Sequence, residues 1–339
     1  MPFRKKKDPH AHDREFDGLY DDHLDASHEP DDAHGWDHDV DPHDPVAHFD
    51  FHDAPRRRRG CGWTAGCLVP IVLVAAVAGG AYYGYQHLLD NFGSPTCQFT
   101  ANGSFDYSPE QAANAATIVD VGTMKLGLEP RAAQVAVATS ITESKLRNLT
   151  YGDRDSLGLF QQRPSQGWGT QAEILDPVQS STAFYNRLTS IDGWQAQAVE
   201  VAAQEVQRSG VPTAYADHVS AGQVLTASLD GGAPEKVTCR LDPAKTSSTP
   251  AAVVSKIANQ TGLQANAGTS DVTFRARSTD RAWAVAAWAV THADAEGITS
   301  VTVGDREWKR HRGRDGAKWI GASRSAGSAT SVRITLAGR

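Results

Sequence analysis

The chain has 339 residues, is 40% hydrophobic and 22% charged, and carries a formal net charge of −7. That length accommodates two modest domains with tails, and the balance fits a globular protein. The charge sums three unlike regions, which excludes a uniformly acidic chain: residues 1–55 hold sixteen acids and five bases, residues 90–240 sixteen and ten, and residues 241–339 eight and fourteen.

Residues 1–59 contain nine of the thirteen histidines, set among Asp and Pro in short units such as DPH and HDP, and end in four consecutive arginines. So little apolar surface cannot offset the entropy of ordering, so a disordered cytoplasmic tail is predicted. Histidine beside carboxylate binds Zn²⁺ or Ni²⁺. No two-plus-two ligand spacing stands out, so weak, unspecific affinity is expected, with no metal site and no cofactor.

Residues 60–89 contain no Asp, Glu, Lys or Arg. A helix needs about 20 apolar residues to cross a bilayer, so a transmembrane helix is predicted here. Trp63 stands at one end and Tyr82, Tyr83 and Tyr85 at the other, as interfacial aromatics would. The arginines at 56–59 put the N-terminus in the cytoplasm and the rest outside, which predicts a single-pass protein of the cell membrane. A cleaved signal peptide is the competing reading, because Ala76, Val77 and Ala78 resemble a small-residue cleavage site. Both readings export Cys97 and Cys239 to a space where disulfides persist. A bridge between these two is expected, the alternative being two unpaired buried thiols.

Residues 90–105 suggest a short linker. Ser108, Pro109 and Glu110 form a helix start signal, and the helix runs to Gly127. Pro130 opens a second helix, residues 148–164 suggest loop or short strand, and Asp176 with Pro177 begins a third. Two more helices are expected at 195–208 and 219–229. Residues 90–240 therefore form a mainly α domain. Residues 241–269 suggest a linker, with Pro243, Ser247, Ser248 and Pro250. Residues 270–339 suggest a small basic α+β domain: a strand at 271–276, a helix at 281–295 and strands at 298–303 and 331–336. The fold class is thus multidomain, with a disordered N-tail, one transmembrane helix, a mainly α domain and a small α+β domain.

Chemistry concentrates at residues 139–170. Glu143 lies near the C-terminal end of an apolar helix, where the helix dipole and desolvation both raise a carboxyl pKa. A carboxyl protonated at neutral pH can donate the proton that a glycosidic leaving oxygen requires. A solvated helix-end Glu is the plain alternative.

Glu143 and Ser144, a polar loop, and then Gly158, Leu159, Phe160 and Gln161 resemble the lysozyme-like superfamily, in its lytic transglycosylase and goose-type lysozyme branch. The run from Gln162 to Gly169 is similar to wall-hydrolase modules of high-GC Gram-positive (actinobacterial) bacteria, and Asp176, Pro177, Phe184 and Tyr185 fit the same pattern. The resemblance covers residues 106–230. It implies a lysozyme-like domain with Glu143 as general acid, Ser144 as a cleft hydrogen-bonding group and Gln161 contacting substrate or positioning the acid. Tyr151, Phe160 and Trp168 would stack on sugar faces, with core packing as the alternative. Asp153 or Asp155 would supply a second carboxylate to activate water, or would instead form turns and pair with Arg154 and Arg147. The transglycosylase branch does without that partner.

The function implied is a membrane-anchored peptidoglycan glycosidase, a lytic transglycosylase or muramidase, cutting the bond between N-acetylmuramic acid and N-acetylglucosamine. The rival is a non-catalytic cell-wall-binding or divisome scaffold that keeps the fold. The partners implied are peptidoglycan glycan strands and the cell membrane. Arg306, Lys309, Arg310, Arg312, Arg314 and Lys318, interleaved with Trp308 and Trp319, suggest a surface for anionic wall polymers. Nucleic acid is not expected for an exported domain.

Overall fold

The computed structural model describes residues 63–245 and 247–338. The expected tail at 1–59 lies outside the described residues. The first described element, α1 (Trp63–Phe92), is a 30-residue helix. Among the described residues no helix is long and apolar enough to cross a membrane, which corrects the transmembrane helix expected at 60–89. Side chains of α1 are described from Pro70 to Leu88, and there the apolar run stops at Ala78. Gly79, Gly80, three tyrosines, Gln86 and His87 follow within the next nine positions. Ile71 to Ala78 is an uninterrupted apolar run of eight residues, against the roughly 20 that a span requires.

The helical region begins as its start signal predicts. In α2 (Pro109–Asp120), Ser108 Oγ accepts from the Gln111 N–H while the Gln111 side chain accepts from the Ser108 N–H, with Pro109 in the first turn. This reciprocal cap satisfies two otherwise orphaned donors. α2 continues into a π-helical turn, Val121–Lys125. α3 (Pro130–Ser144) follows, then α4 (Gln171–Leu175), α5 (Pro177–Thr189), α6 (Val199–Gln207) and α7 (Val219–Leu229). Asp176 caps α5 by accepting from the Val178 and Gln179 N–H groups. α3 is the central helix and packs against α2, α6 and α7. Its run of buried alanines and valines lets neighbours approach closely. At Gly222 of α7 a Cβ would lie 2.7 Å from the Gln134 carbonyl oxygen, so only glycine fits there.

A three-stranded antiparallel sheet, ordered β2-β1-β3, pins the ends of this region together. Its strands are β1 (Thr96–Phe99), β2 (Phe105–Tyr107) and β3 (Val237–Arg240). Cys97 sits directly opposite Cys239 across β1 and β3, and the two form the expected disulfide. The stretch expected as a linker at 90–105 therefore contains β1 and the start of β2.

The second expected linker, 241–269, contains α8 (Pro250–Thr261), which Thr249 caps by accepting from the Ala252 N–H. Then come β4 (Asn266–Ala267), β5 (Asp271–Arg275), α9 (Thr279–Thr291), α10 (Ala293–Glu296), β6 (Ile298–Val303), β7 (Arg306–Lys309), β8 (Trp319–Gly321) and β9 (Ser331–Leu336). These strands form a six-stranded antiparallel sheet ordered β4-β5-β9-β6-β7-β8. α9 is buried along most of its length and packs on both α2 and β6, so the helices and this sheet share one hydrophobic core. The described residues thus form an α+β fold with ten α-helices and two sheets.

Candidate active site

α3 ends at Ser144 because Lys145 and Leu146 both take left-handed backbone conformations, with φ of 55° and 60°. The turn leaves Glu143 half-buried on the last helical turn. The Tyr215 hydroxyl donates to Glu143 Oε1 at 2.7 Å. Tyr215 is fully buried on the 3-10 turn Pro212–His218, between α6 and α7. Desolvation raises the Glu143 pKa, and donors from Tyr215 and Gln207 pull it partly back. The Tyr215 phenol is itself pushed up, by burial and by the adjacent Glu143 carboxylate. Gln207, at the end of α6, also donates from Nε2 to the Phe160 carbonyl at 2.7 Å, which ties α6 to the loop after α3.

That loop closes as a tight turn. Leu157 and Gln162 exchange backbone hydrogen bonds of 2.9 and 3.0 Å, with Gly158 and Gln161 at positive φ between them. Ser144 is buried, its Oγ 2.8 Å from the Leu159 carbonyl oxygen and 3.1 Å from that of Ser140. Ser140 Oγ reaches the same Leu159 oxygen at 3.0 Å. The two serines therefore staple the end of α3 to the turn. Phe160 is fully buried and stacks on Phe184, with centroids 4.7 Å apart. Gln161 is half-buried, and its amide lies 3.3 Å from the Tyr151 carbonyl oxygen and 3.4 Å from that of Gly158. Gly152 lies so close to the Gln161 side chain that no Cβ fits. Tyr151 stands 70% exposed on the same loop.

The other expected residues lie elsewhere or are engaged. Trp168 is half-buried with the Arg187 guanidinium 5.2 Å from its ring centroid, and it lines a cavity with Glu173, Gln179 and Asn186. The Asp153 side chain is 90% exposed, with Arg154 at 4.0 Å. Asp155 accepts from Arg163 Nε at 2.7 Å and from the Ser165 N–H at 2.8 Å. Those bonds hold its carboxyl well below the usual range. Asp155 is thus a committed anion with little basicity to offer a water. Tyr215 and Gln207 escaped the sequence reading: Tyr215 lies 72 positions from Glu143, and no local pattern marks either residue.

Among the described residues, no group of three or more His, Cys, Asp or Glu is placed to hold a metal ion. Five of the expected C-terminal cations form ion pairs. Arg306 pairs with Glu235, Lys309 with Glu307, Arg310 with Asp294, Arg312 with Asp242 and Lys318 with Asp315. Trp308 and Trp319 are buried. No protein-family model and no curated protein matches the chain. The chemistry of the site therefore rests on its own residues.

Proposed function

We propose that the chain is a peptidoglycan glycosidase that acts outside the cytoplasm with Glu143 as its general acid. The observation that carries this reading is the Glu143 carboxyl: half-buried, raised in pKa by desolvation, and oriented by the buried Tyr215 hydroxyl at 2.7 Å. A desolvated acid keeps its proton nearer neutral pH and can deliver it to the departing glycosidic oxygen. The Cys97–Cys239 disulfide supports an oxidising compartment.

The surroundings favour transglycosylation over hydrolysis. Asp155 is spent on Arg163 and Ser165, and Asp153 is solvated. Without a second basic carboxylate, the substrate supplies the nucleophile. Its acetamido group assists as the C1–O4 bond breaks and Glu143 protonates O4. The muramyl 6-hydroxyl then closes on C1, returning its proton to Glu143. The product is a 1,6-anhydro end, and no water is consumed. Mass spectrometry of fragments released from purified cell wall tests this. Anhydro ends with the parent protein and none with Glu143→Gln support the reading. Reducing ends would assign a muramidase. Glycan capture with no released fragment from either protein would assign a non-catalytic wall-binding role.

A further inference from the structure

Two cavities share part of their walls, and neither includes Glu143, Tyr215 or Gln207 in its lining. One, of about 450 Å³, lies among α2, α5, α8 and α10 and has His292 and Thr117 in its wall. The other, of about 630 Å³, is lined by Trp168, Gln179 and Asn186. Asp176, Val178 and Asn259 belong to the walls of both.

The buried end holds a ring nitrogen whose one protein contact is a long one to a hydroxyl. His292 is 3% exposed, and its Nδ1 lies 2.8 Å from the Trp288 carbonyl oxygen. A carbonyl only accepts, so Nδ1 carries the proton and Nε2 presents a lone pair. Its nearest hydroxyl, Thr117 Oγ1, is 3.4 Å away and has one proton, which goes to the Ala113 carbonyl oxygen at 2.9 Å. Burial holds the His292 pKa down to about 4, so the ring is neutral at physiological pH. Protonation would bring the ring charge beside Lys256 and Glu296, with Glu110, Asp176 and Asp294 around the cavity.

The groove's charges are mostly committed within the protein. Asp294 pairs with Arg310 and Lys256 with Glu296. Glu173 closes the Thr170 cap, and Asp176 caps α5. Lys125 donates to the Asn259 carbonyl. The side-chain amides of Gln179, Asn186 and Asn259 bond no protein group among the described residues and remain free for a ligand. Pro109, Ala113, Pro177, Val178 and Ala295 give the inner cavity an apolar wall. Neutral amides, an indole, an apolar wall and a buried acceptor suit a neutral ligand with hydroxyls, an amide N–H and a methyl group.

We propose that the two cavities form one binding groove for an N-acetylated glycan, separate from the Glu143 centre, with Trp168 as its platform and His292 Nε2 accepting from the innermost sugar. The glycan class rests on the glycosidase reading, while the groove's existence as a site does not. The groove holds a strand that Glu143 does not cut at that point, and so acts as a second hold on the substrate.

The test is calorimetric titration of the full chain carrying Glu143→Gln, which leaves the probe intact. The probe is chitotetraose, and cellotetraose, with hydroxyls replacing acetamido groups, is the control. Trp168→Ala and Asn259→Ala are each added in that background. Asn259 is exposed, so its variant folds even where loss of Trp168 perturbs packing. Saturable chitotetraose binding, weakened about tenfold by either variant and about tenfold weaker for cellotetraose, is expected from the loss of one stacking or hydrogen-bond contact. Equal affinity of both variants and the background protein would overturn the groove, as would no saturable binding. Equal affinity for both sugars would overturn the acetamido assignment. If Glu143→Gln releases anhydro ends from cell wall as the parent does, the acid assignment fails, and recovery of unchanged chitotetraose after the titration keeps the groove result separate from that failure.

Discussion

Replacing both Cys97 and Cys239 by alanine should destabilise the fold heavily without changing its native contacts. The two residues are 142 positions apart and face each other across β1 and β3, both fully buried. In the chain-entropy account, opening a loop of that length returns about 5 kcal/mol of entropy to the unfolded state at 25 °C. With a urea dependence of about 3 kcal/mol per molar for a chain this size, the unfolding midpoint falls by about 1.7 M. The assay is equilibrium urea unfolding followed by tryptophan fluorescence and far-ultraviolet circular dichroism. Parent protein treated with reductant should unfold where the double variant does. A double variant within about 0.3 M of the oxidised parent would refute the reasoning, because the loop entropy would then be absent from the unfolded chain.

Tyr215→Phe removes a donor that stabilises the ionised Glu143, so the Glu143 pKa rises and the alkaline limb of the wall-release rate profile moves to higher pH; a limb that stays or moves down contradicts the assigned contact. Asp155→Asn should lower the melting temperature at neutral pH. Because the folded-state pKa is depressed, the stabilisation is full above the unfolded carboxylate value of about 3.9 and fades as pH falls through the folded value, so the parent and variant melting temperatures converge in acid. Ser144→Ala should cost about 1 kcal/mol in urea unfolding, because Ser140 Oγ still serves the Leu159 oxygen. A substrate-binding Ser144 would instead raise KM and leave stability unchanged.

Local signals were legible and long-range ones were not. Ser108 with Pro109, and Asp176 with Pro177, mark helix starts because a cap needs only the next few residues, and the structure places both caps there. Cys97 and Cys239 were legible from compartment chemistry, and their strands were not. β1 is held by Val237 to Arg240, far along the chain, so residues 90–105 resemble a linker taken alone. Thr249 and Pro250 carry a cap and a first-turn proline, yet the neighbouring Ser and Pro residues suggested a linker, and α8 went unrecognised. The apolar run at 60–89 has the charge silence of a span. Its described part fails on content, since glycine, tyrosine, glutamine and histidine dilute it after Ala78.

The candidate site was legible as a single residue. Glu143 follows from its position on a helix, while the direction of its neighbours' side chains does not. Ser144 and Phe160 point inward, to the Leu159 carbonyl and to Phe184. Trp168 lines a separate groove. The groups that set the acid's environment, Tyr215 and Gln207, arrive from α6 and the turn beyond it. A run of arginines and lysines likewise suggested a charged surface; Arg306, Arg310 and Arg312 pair with acids distant in the chain, while Lys309 and Lys318 pair with near neighbours.

The central claim is that Glu143 is the acid that breaks a wall glycan. Zymography against purified peptidoglycan, with parent and Glu143→Gln proteins at equal amounts and equal melting temperatures, tests it most directly. Clearing by the parent and none by the variant is the expected result. Equal clearing by both would contradict the claim.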